Sequence, residues 1–260
     1  MATNRRLKVL ALSAAGIAAT IAVWWGILRV IPMPEQFAQG FSPAGAWSGL
    51  VDMVRNGDLI RHTLPSLQRV GIGLLFAFAV GVPVGVAVGH LATVRNLTNT
   101  TFQFLRMISP LAWMPVAIIM FGVGDRPVYF LIAVAAVWPI VINTAQGVRG
   151  MEPGWTRVIK TLGGSRTDVL LRAVLPAVVP DIITGLRISI GISWVILVPA
   201  EMLGVSSGLG YFILDTRDRF AYGELMAAIL SIGLIGLVLD NALGYLENRL
   251  SWKVSPMGES

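Results

Sequence analysis

The chain alternates long apolar runs with short charged stretches, and the run lengths predict its elements. Twenty residues without a formal charge lie between Lys8 and Arg29, twenty-five between Arg69 and Arg95, eighteen between Arg106 and Asp125, and twenty-two between Arg126 and Arg149. An α-helix rises about 1.5 Å per residue, so ~20 apolar residues cross a hydrocarbon layer of ~30 Å. These runs predict spanning helices over about 9–30, 68–92, 100–122 and 127–149. Two further apolar stretches carry isolated charges: 177–203 holds Asp181, Arg187 and Glu201, and 224–246 holds Asp240. About six spans result. The expectation is an all-α, polytopic membrane fold with both termini on one side.

Small residues and prolines mark the insides of these spans. Gly71, Gly73, Gly81, Gly85 and Gly89 fall in the second, and the last three recur every fourth residue. That spacing puts glycine on one helical stripe and lets two backbones approach closely in lipid. Pro110, Pro115, Pro139, Pro180 and Pro199 interrupt the third, fourth and fifth spans. Each removes a backbone donor and tends to kink its helix, which survives in lipid where neighbours or a cavity satisfy the freed carbonyls.

Composition agrees with the pattern. Of 260 residues, 55% are hydrophobic and only 13% charged, against about 25% charged in a soluble domain. The mean hydropathy is +0.73. Lipid is the expected cover. Cysteine is absent, which excludes disulfides, thiolate metal sites and cysteine nucleophiles. The two histidines, His62 and His90, are too far apart for a metal-binding spacing, so no metal site is expected.

The net charge of +6 sits between the apolar blocks and reads as topology rather than as a nucleic-acid surface. With the N-terminus inside, the inner segments carry eleven basic residues: Arg5, Arg6, Lys8, Arg95, Arg149, Arg157, Lys160, Arg166, Arg172, Arg249 and Lys253. The outer segments carry six basic residues beside seven acids. This asymmetry predicts cytoplasmic N- and C-termini. Arg5, Arg6 and Lys8 also suit a signal peptide, but the apolar run that follows exceeds the usual ~7–15 residues. It ends near Trp24 and Trp25, as an interfacially anchored span does. A retained helix over 1–31 is the expectation, followed by an outer segment 32–64, a core 65–250 and a tail 251–260. The outer segment could cap the outer mouth or help seat another protein.

The longest inner loop is 150–176. Pro153 suits a first helical turn. Gly163 and Gly164 break that helix, Ser165 with Asp168 matches a capping box, and Pro176 is read as a stop. Val169, Leu170, Ala173 and Val174 form the apolar face of the second short helix. The reading is two short helices at the membrane surface with an exposed basic face; an amphipathic loop lying on lipid is the plainer alternative.

This loop resembles the coupling loop of binding-protein-dependent importer permeases. Their pattern is E-A-A, three residues, G, nine residues, I-x-L-P. Gly163 and Leu175-Pro176 match in spacing, whereas Arg157, Val158 and Ile159 stand in place of E-A-A and Ala173 in place of the isoleucine. The resemblance extends to Ser66–Gly73, Ser109–Pro115, Phe121–Gly124, Ile142–Thr144, Thr161–Arg166, Thr184–Arg187, Ala200–Met202 and Ser207–Tyr211. These stretches look like the nitrate, sulfonate, taurine and bicarbonate branch of the ABC importers and cover about 60–250 in order.

The resemblance implies a type I importer permease (MetI-like) fold in the cell inner membrane. It also implies a separate ABC ATPase subunit that carries ATP and Mg, a second permease copy as homodimer partner, a solute-binding protein, and a small anion as cargo. It assigns the grip on the ATPase to Lys160, Gly163, Gly164, Ser165, Arg166, Thr167, Leu175 and Pro176, with Arg157 at a position where the family contact is changed.

The chain itself cannot be a P-loop ATPase. Lys8, Lys160 and Lys253 follow Leu7, Ile159 and Trp252, so the G-K pair of a phosphate-binding loop is missing. It is read as a transport subunit and not an enzyme, with no cofactor of its own. A gradient-coupled secondary transporter or channel is the other class, but it calls for inverted repeats, of which the sequence shows no clear sign, and for intramembrane acids, of which it has few. Arg187, Glu201, Trp113, Met114, Trp194 and Met202 are the candidates for the translocation path. Arg187 and Glu201 share a helical face but are ~21 Å apart along it. Two readings of Arg187 stay open: a positive charge along an anion path, or a structural partner of Asp181 or of a neighbouring chain.

Overall fold

The apolar runs fold as helices, in a computed structural model that describes residues 2–32 and 34–251. Lys253 and the rest of the tail from residue 252 lie outside the described residues. In order these are α1 (Ala2–Val30), α2 (Glu35–Gly40), α3 (Pro43–Arg55), α4 (Asp58–His90), α5 (Ala92–Leu105), a 3₁₀ turn (Pro110–Trp113), α6 (Met114–Phe121), α7 (Asp125–Gly150), α8 (Pro153–Thr161), α9 (Arg166–Val169), a π turn (Leu170–Val174), α10 (Leu175–Gly204), α11 (Leu209–Asp218) and α12 (Tyr222–Ser251). Among the described residues five helices are long and apolar enough to cross a membrane, and six spans result if α5 and the stretch Pro110–Phe121 count as one crossing.

The chain divides into two compact units. The first holds the chain up to Thr63 together with Phe212–Gly233. No side chain between Ala11 and Val30 of α1 is buried, which suits a helix facing lipid. The outer segment of the sequence reading is itself helical. Ser42 caps α3 by accepting from the Gly45 N–H at 2.9 Å, with Pro43 in the first turn. Phe37 and Phe41 stack on Tyr222 with ring centroids at 4.6 and 5.2 Å. Met53, Phe212, Ala227 and Ala228 form the core of this unit.

The second unit, Leu64–Tyr211 with the chain from Leu234, is built around α7. The glycine stripe of α4 lies on α7: a methyl group at Gly73, Gly81, Gly85 or Gly89 would lie 2.5–2.8 Å from Ile132, Ile140, Thr144 or Val148. Gly71 faces open space and is not part of the stripe. Partner numbers rise together, so α4 and α7 run parallel. On the other side of α7 they run in opposition. Asp181 packs on Gly147, Gly185 on Ile140 and Asn143, and the Ser189 hydroxyl donates to the Ala136 carbonyl at 2.7 Å, so α10 is antiparallel. That last bond lies in the turn that Pro139 disturbs, as expected for a proline kink satisfied by a neighbour. Trp194 packs on Gly236 and Arg187 on Gly244, which sets α12 antiparallel to α10.

Because α4 and α7 are parallel, the chain between them must return across the layer. The return is made by α5 and the stretch Pro110–Phe121 that ends in α6, whose directions differ by 85° across the break at 106–109. The sequence reading placed a single span at 100–122. The polar run Asn96–Thr101 keeps α5 from being apolar enough to span alone, and Pro110 lacks the N–H that a continuous helix would use there.

Candidate functional site

The element at 150–176 is assembled by two adjacent caps. α8 ends in a Schellman motif: the Gly163 N–H donates to the Lys160 carbonyl at 3.0 Å, and the Gly164 N–H to the Ile159 carbonyl at 2.9 Å. Gly163 takes φ +78°, the left-handed conformation that this cap requires and that glycine adopts without steric cost. Ser165 then starts α9. Its N–H and hydroxyl donate to the Asp168 carboxylate at 3.0 and 2.6 Å, and its oxygen accepts from the Asp168 N–H at 3.2 Å. The reciprocal bonds of a capping box are present with Asp in place of Glu.

Pro176 does not end the helix. The π turn at Leu170–Val174 joins α9 to α10, so the chain is helical from Arg166 to Gly204. A proline ring clashes with the carbonyl four residues before it, here that of Arg172, and a widened turn relieves that crowding. Val169, Val174, Val178 and Ile182 pack with Val148 in one cluster that Ile159 of α8 joins, so the element is fastened to α7 and α10. Leu170 is more exposed than the sequence reading had it. Trp155, Val158 and the capping residue Leu162 share one face of α8 and are 64, 58 and 81% exposed, while the exposed Arg157 and Lys160 lie on the other side of the helix.

At the other end of the unit lies a polar network that the sequence reading did not foresee. Arg69 of α4 is 3% exposed and Glu201 of α10 is fully buried, and they form an ion pair at 2.6 Å. Arg69 also donates through Nε to Asp125 of α7 at 2.8 Å, and to the carbonyl and hydroxyl of Ser207, each at 2.8 Å. Glu201 accepts further from the Ser66 hydroxyl at 2.8 Å and from the Gly210 N–H at 2.8 Å, and the Ser66 oxygen accepts from the Leu209 N–H at 2.9 Å. Gly208, at φ +108°, leaves room where a side chain would strike Glu201 and Arg69. The network ties α4, α7 and α10 to the start of α11. A usable signal was present: a glutamate in an apolar span needs a cation, and Arg69 lies well inside α4 rather than at its end.

The remaining path candidates are spread along the unit. Met114 is buried, with its Cε methyl toward Gly204; Trp113 and Met202 are half-buried; Trp194 is buried and its indole nitrogen lies against Gly236. Arg187 faces Asp240 of α12 at 3.4 Å, not Asp181, which turns toward Gly147. A cavity of about 630 Å³ runs between α5, from Arg95 to Arg106, and α7, from Trp138 to Arg149, and a neighbouring one of about 470 Å³ lies at the break after α5. Among the described residues there is no cluster of groups able to hold a metal ion.

Residues 81–252 match the family described as binding-protein-dependent transport system inner membrane component. The chain is 37% identical to the nitrate import permease protein NrtB of Leptolyngbya laminosa, over 79% of this chain and 75% of that protein. It is 40% identical to the bicarbonate transport system permease protein CmpB of Synechococcus elongatus, over 73% and 68%. It is 31% identical to the taurine transport system permease protein TauC of Escherichia coli, over 95% and 94%. The fold matches a chain of the inward-facing MetNI methionine ABC transporter with a TM-score of 0.61 at 16% identity, covering 76% of this chain and 96% of that one. A surface element carried on two caps, a core of close-packed spans and these likenesses converge: the chain belongs to the binding-protein-dependent transport system inner membrane component family and is a permease subunit of an ABC importer.

Proposed function

We propose that this permease moves a small anion (nitrate, bicarbonate or a sulfonate such as taurine) from a solute-binding protein into the cytoplasm, driven by a separate ATPase subunit. Two copies form the channel, ATP and Mg reside on the ATPase, and the 150–176 element faces the cytoplasm with both termini. The observation that carries this reading is the exposed apolar stripe Trp155, Val158 and Leu162 on α8, an element fastened to α7 and α10. A water-facing apolar stripe of this kind suits a protein partner. A rigid element seated in a moving partner transmits a rigid-body rotation.

The test is co-expression with a P-loop ATPase and a binding protein, followed by co-purification and uptake in proteoliposomes. The ATPase is expected to co-purify, and Trp155→Asp to weaken the complex by at least about 30-fold, as loss of an aromatic anchor worth ~2 kcal/mol does. ATP-dependent uptake of one of the three anions is expected. Uptake that follows an ion gradient and ignores ATP would overturn the reading.

A further inference from the structure

Among the described residues, Arg69 and Arg187 lie well inside spanning helices, and Arg106, an exposed residue, closes α5 at the break within the bent third crossing. Arg69 is held by Glu201 and Asp125, and Arg187 faces Asp240. Arg106 pairs with no carboxylate among the described residues. It lines the same cavity as Trp138 and Ile142 of α7. Trp138 is thirteen residues from Asp125 and twelve from Gly150, so the stretch of α7 that shares both cavities with Arg106 is centred ~20 Å from either end of that helix. A guanidinium at that depth is costly against hydrocarbon, and such groups face a bundle interior or a wet cavity.

The 630 Å³ cavity supplies the wet surface. Its polar lining is Arg95, Asn96, Asn99, Gln103 and Arg106 along one stripe of α5, with Thr98 beside them and Arg149 at the end of α7. No carboxylate lines it. Arg95 and Arg149 stand toward the 150–176 end and Arg106 at the deep end. Beyond Arg106 the second cavity is walled by Met107, Pro139 and isoleucines of α10. Arg106 and Trp138 thus stand where a polar, positive chamber meets an apolar one.

We propose that this chamber is an anion-binding vestibule and that Arg106 determines its specificity. The proposal rests on the permease reading and names the site through which an anion is favoured. A guanidinium presents paired, coplanar donors that match the oxygens of a planar oxyanion such as nitrate or bicarbonate, and also two oxygens of a sulfonate. Uncompensated cations in a cleft with low-dielectric walls raise the local anion concentration.

The absence of cysteine allows a direct test on the full chain. Asn99→Cys is introduced, and the chain is placed in lipid nanodiscs, where both faces are open. Its thiol is reacted with an anionic and with a cationic methanethiosulfonate. Any change in thiol acidity speeds both reagents, so their rate ratio reads the field alone. The expected ratio favours the anionic reagent at least about tenfold over a free thiol in solution. Arg106→Gln in the same chain should cut it by about threefold or more, Arg106→Lys should hold it, and millimolar nitrate should slow the anionic reagent in the parent. A ratio equal to that of a free thiol, or one unmoved by Arg106→Gln, overturns the proposal. The thiol ratio does not depend on transport, whereas ATP-driven uptake by the parent chain decides the permease reading, so the two can fail separately.

Discussion

At the scale of single residues, the largest energies are concentrated at Arg69 and Glu201. Glu201 is completely enclosed, and its bonds come from two elements: the Ser66 hydroxyl and the Arg69 guanidinium of α4, and the Gly210 N–H at the start of α11. Removing one member of a buried pair strands the other charge at a cost of ~3–5 kcal/mol, whereas replacing both by apolar groups is often nearly neutral. Arg69→Met is therefore expected to lower the thermal unfolding temperature in detergent sharply, and Arg69→Met combined with Glu201→Leu to recover much of the loss. A double variant as unstable as the sum of the singles would mean that the pair is not the unit. Ser66→Ala should cost ~1–3 kcal/mol, since the Leu209 N–H loses its acceptor. Both charges were visible in the sequence. Their pairing was not, because it joins residues 132 apart and depends on how α4 packs against α10.

At the scale of elements, close approach decides which helices touch. The four-residue glycine spacing of α4 was legible, and so was its meaning, because one residue type at one period defines a stripe. What it packs against was not legible, since Ile132, Ile140, Thr144 and Val148 look like any apolar helix face. Gly85→Leu is expected to push α4 off α7, since an added Cβ would lie 2.6 Å from Thr144 and 2.9 Å from the Val141 carbonyl, with a loss of ~1–3 kcal/mol typical of overpacking. Gly71→Leu meets nothing within 4 Å and should leave stability unchanged. Equal unfolding temperatures for the two variants would refute the stripe. The broken third span and the helix that continues through Pro176 were misjudged for a shared reason. Proline marks only where a regular α-helix must yield, and a 3₁₀ turn at Pro110 and a π turn before Pro176 are two ways of yielding without stopping at one point.

At the scale of the whole molecule, one continuous helical run joins the two notable sites of the second unit. It starts at the Ser165 cap, passes the π turn and ends at Gly204, just beyond Glu201. Its α10 part alone is 30 residues, about 45 Å. If the surface element is where an ATPase pushes, this rod carries the push, and the Arg69–Glu201 network anchors its far end. The corner between α8 and α9 then has to be stiff, because a soft corner would absorb the displacement before it reached α10. Stiffness there depends on Gly164: a side chain would meet the Ile159 methyl at 2.5 Å and the Ile159 carbonyl at 2.8 Å, which are the contacts that close the cap. Gly164→Val is expected to open the corner while leaving the spans packed. Its unfolding temperature should stay within a few degrees of the parent, and ATP-driven uptake should fall at least about tenfold, equivalent to ~1.4 kcal/mol of lost coupling. The ATPase should still co-purify, since Trp155, Val158 and Leu162 on the outer face of α8 are untouched. Uptake at the parental rate with the cap disrupted would show that the push reaches α10 by another route, and the rod would lose its role.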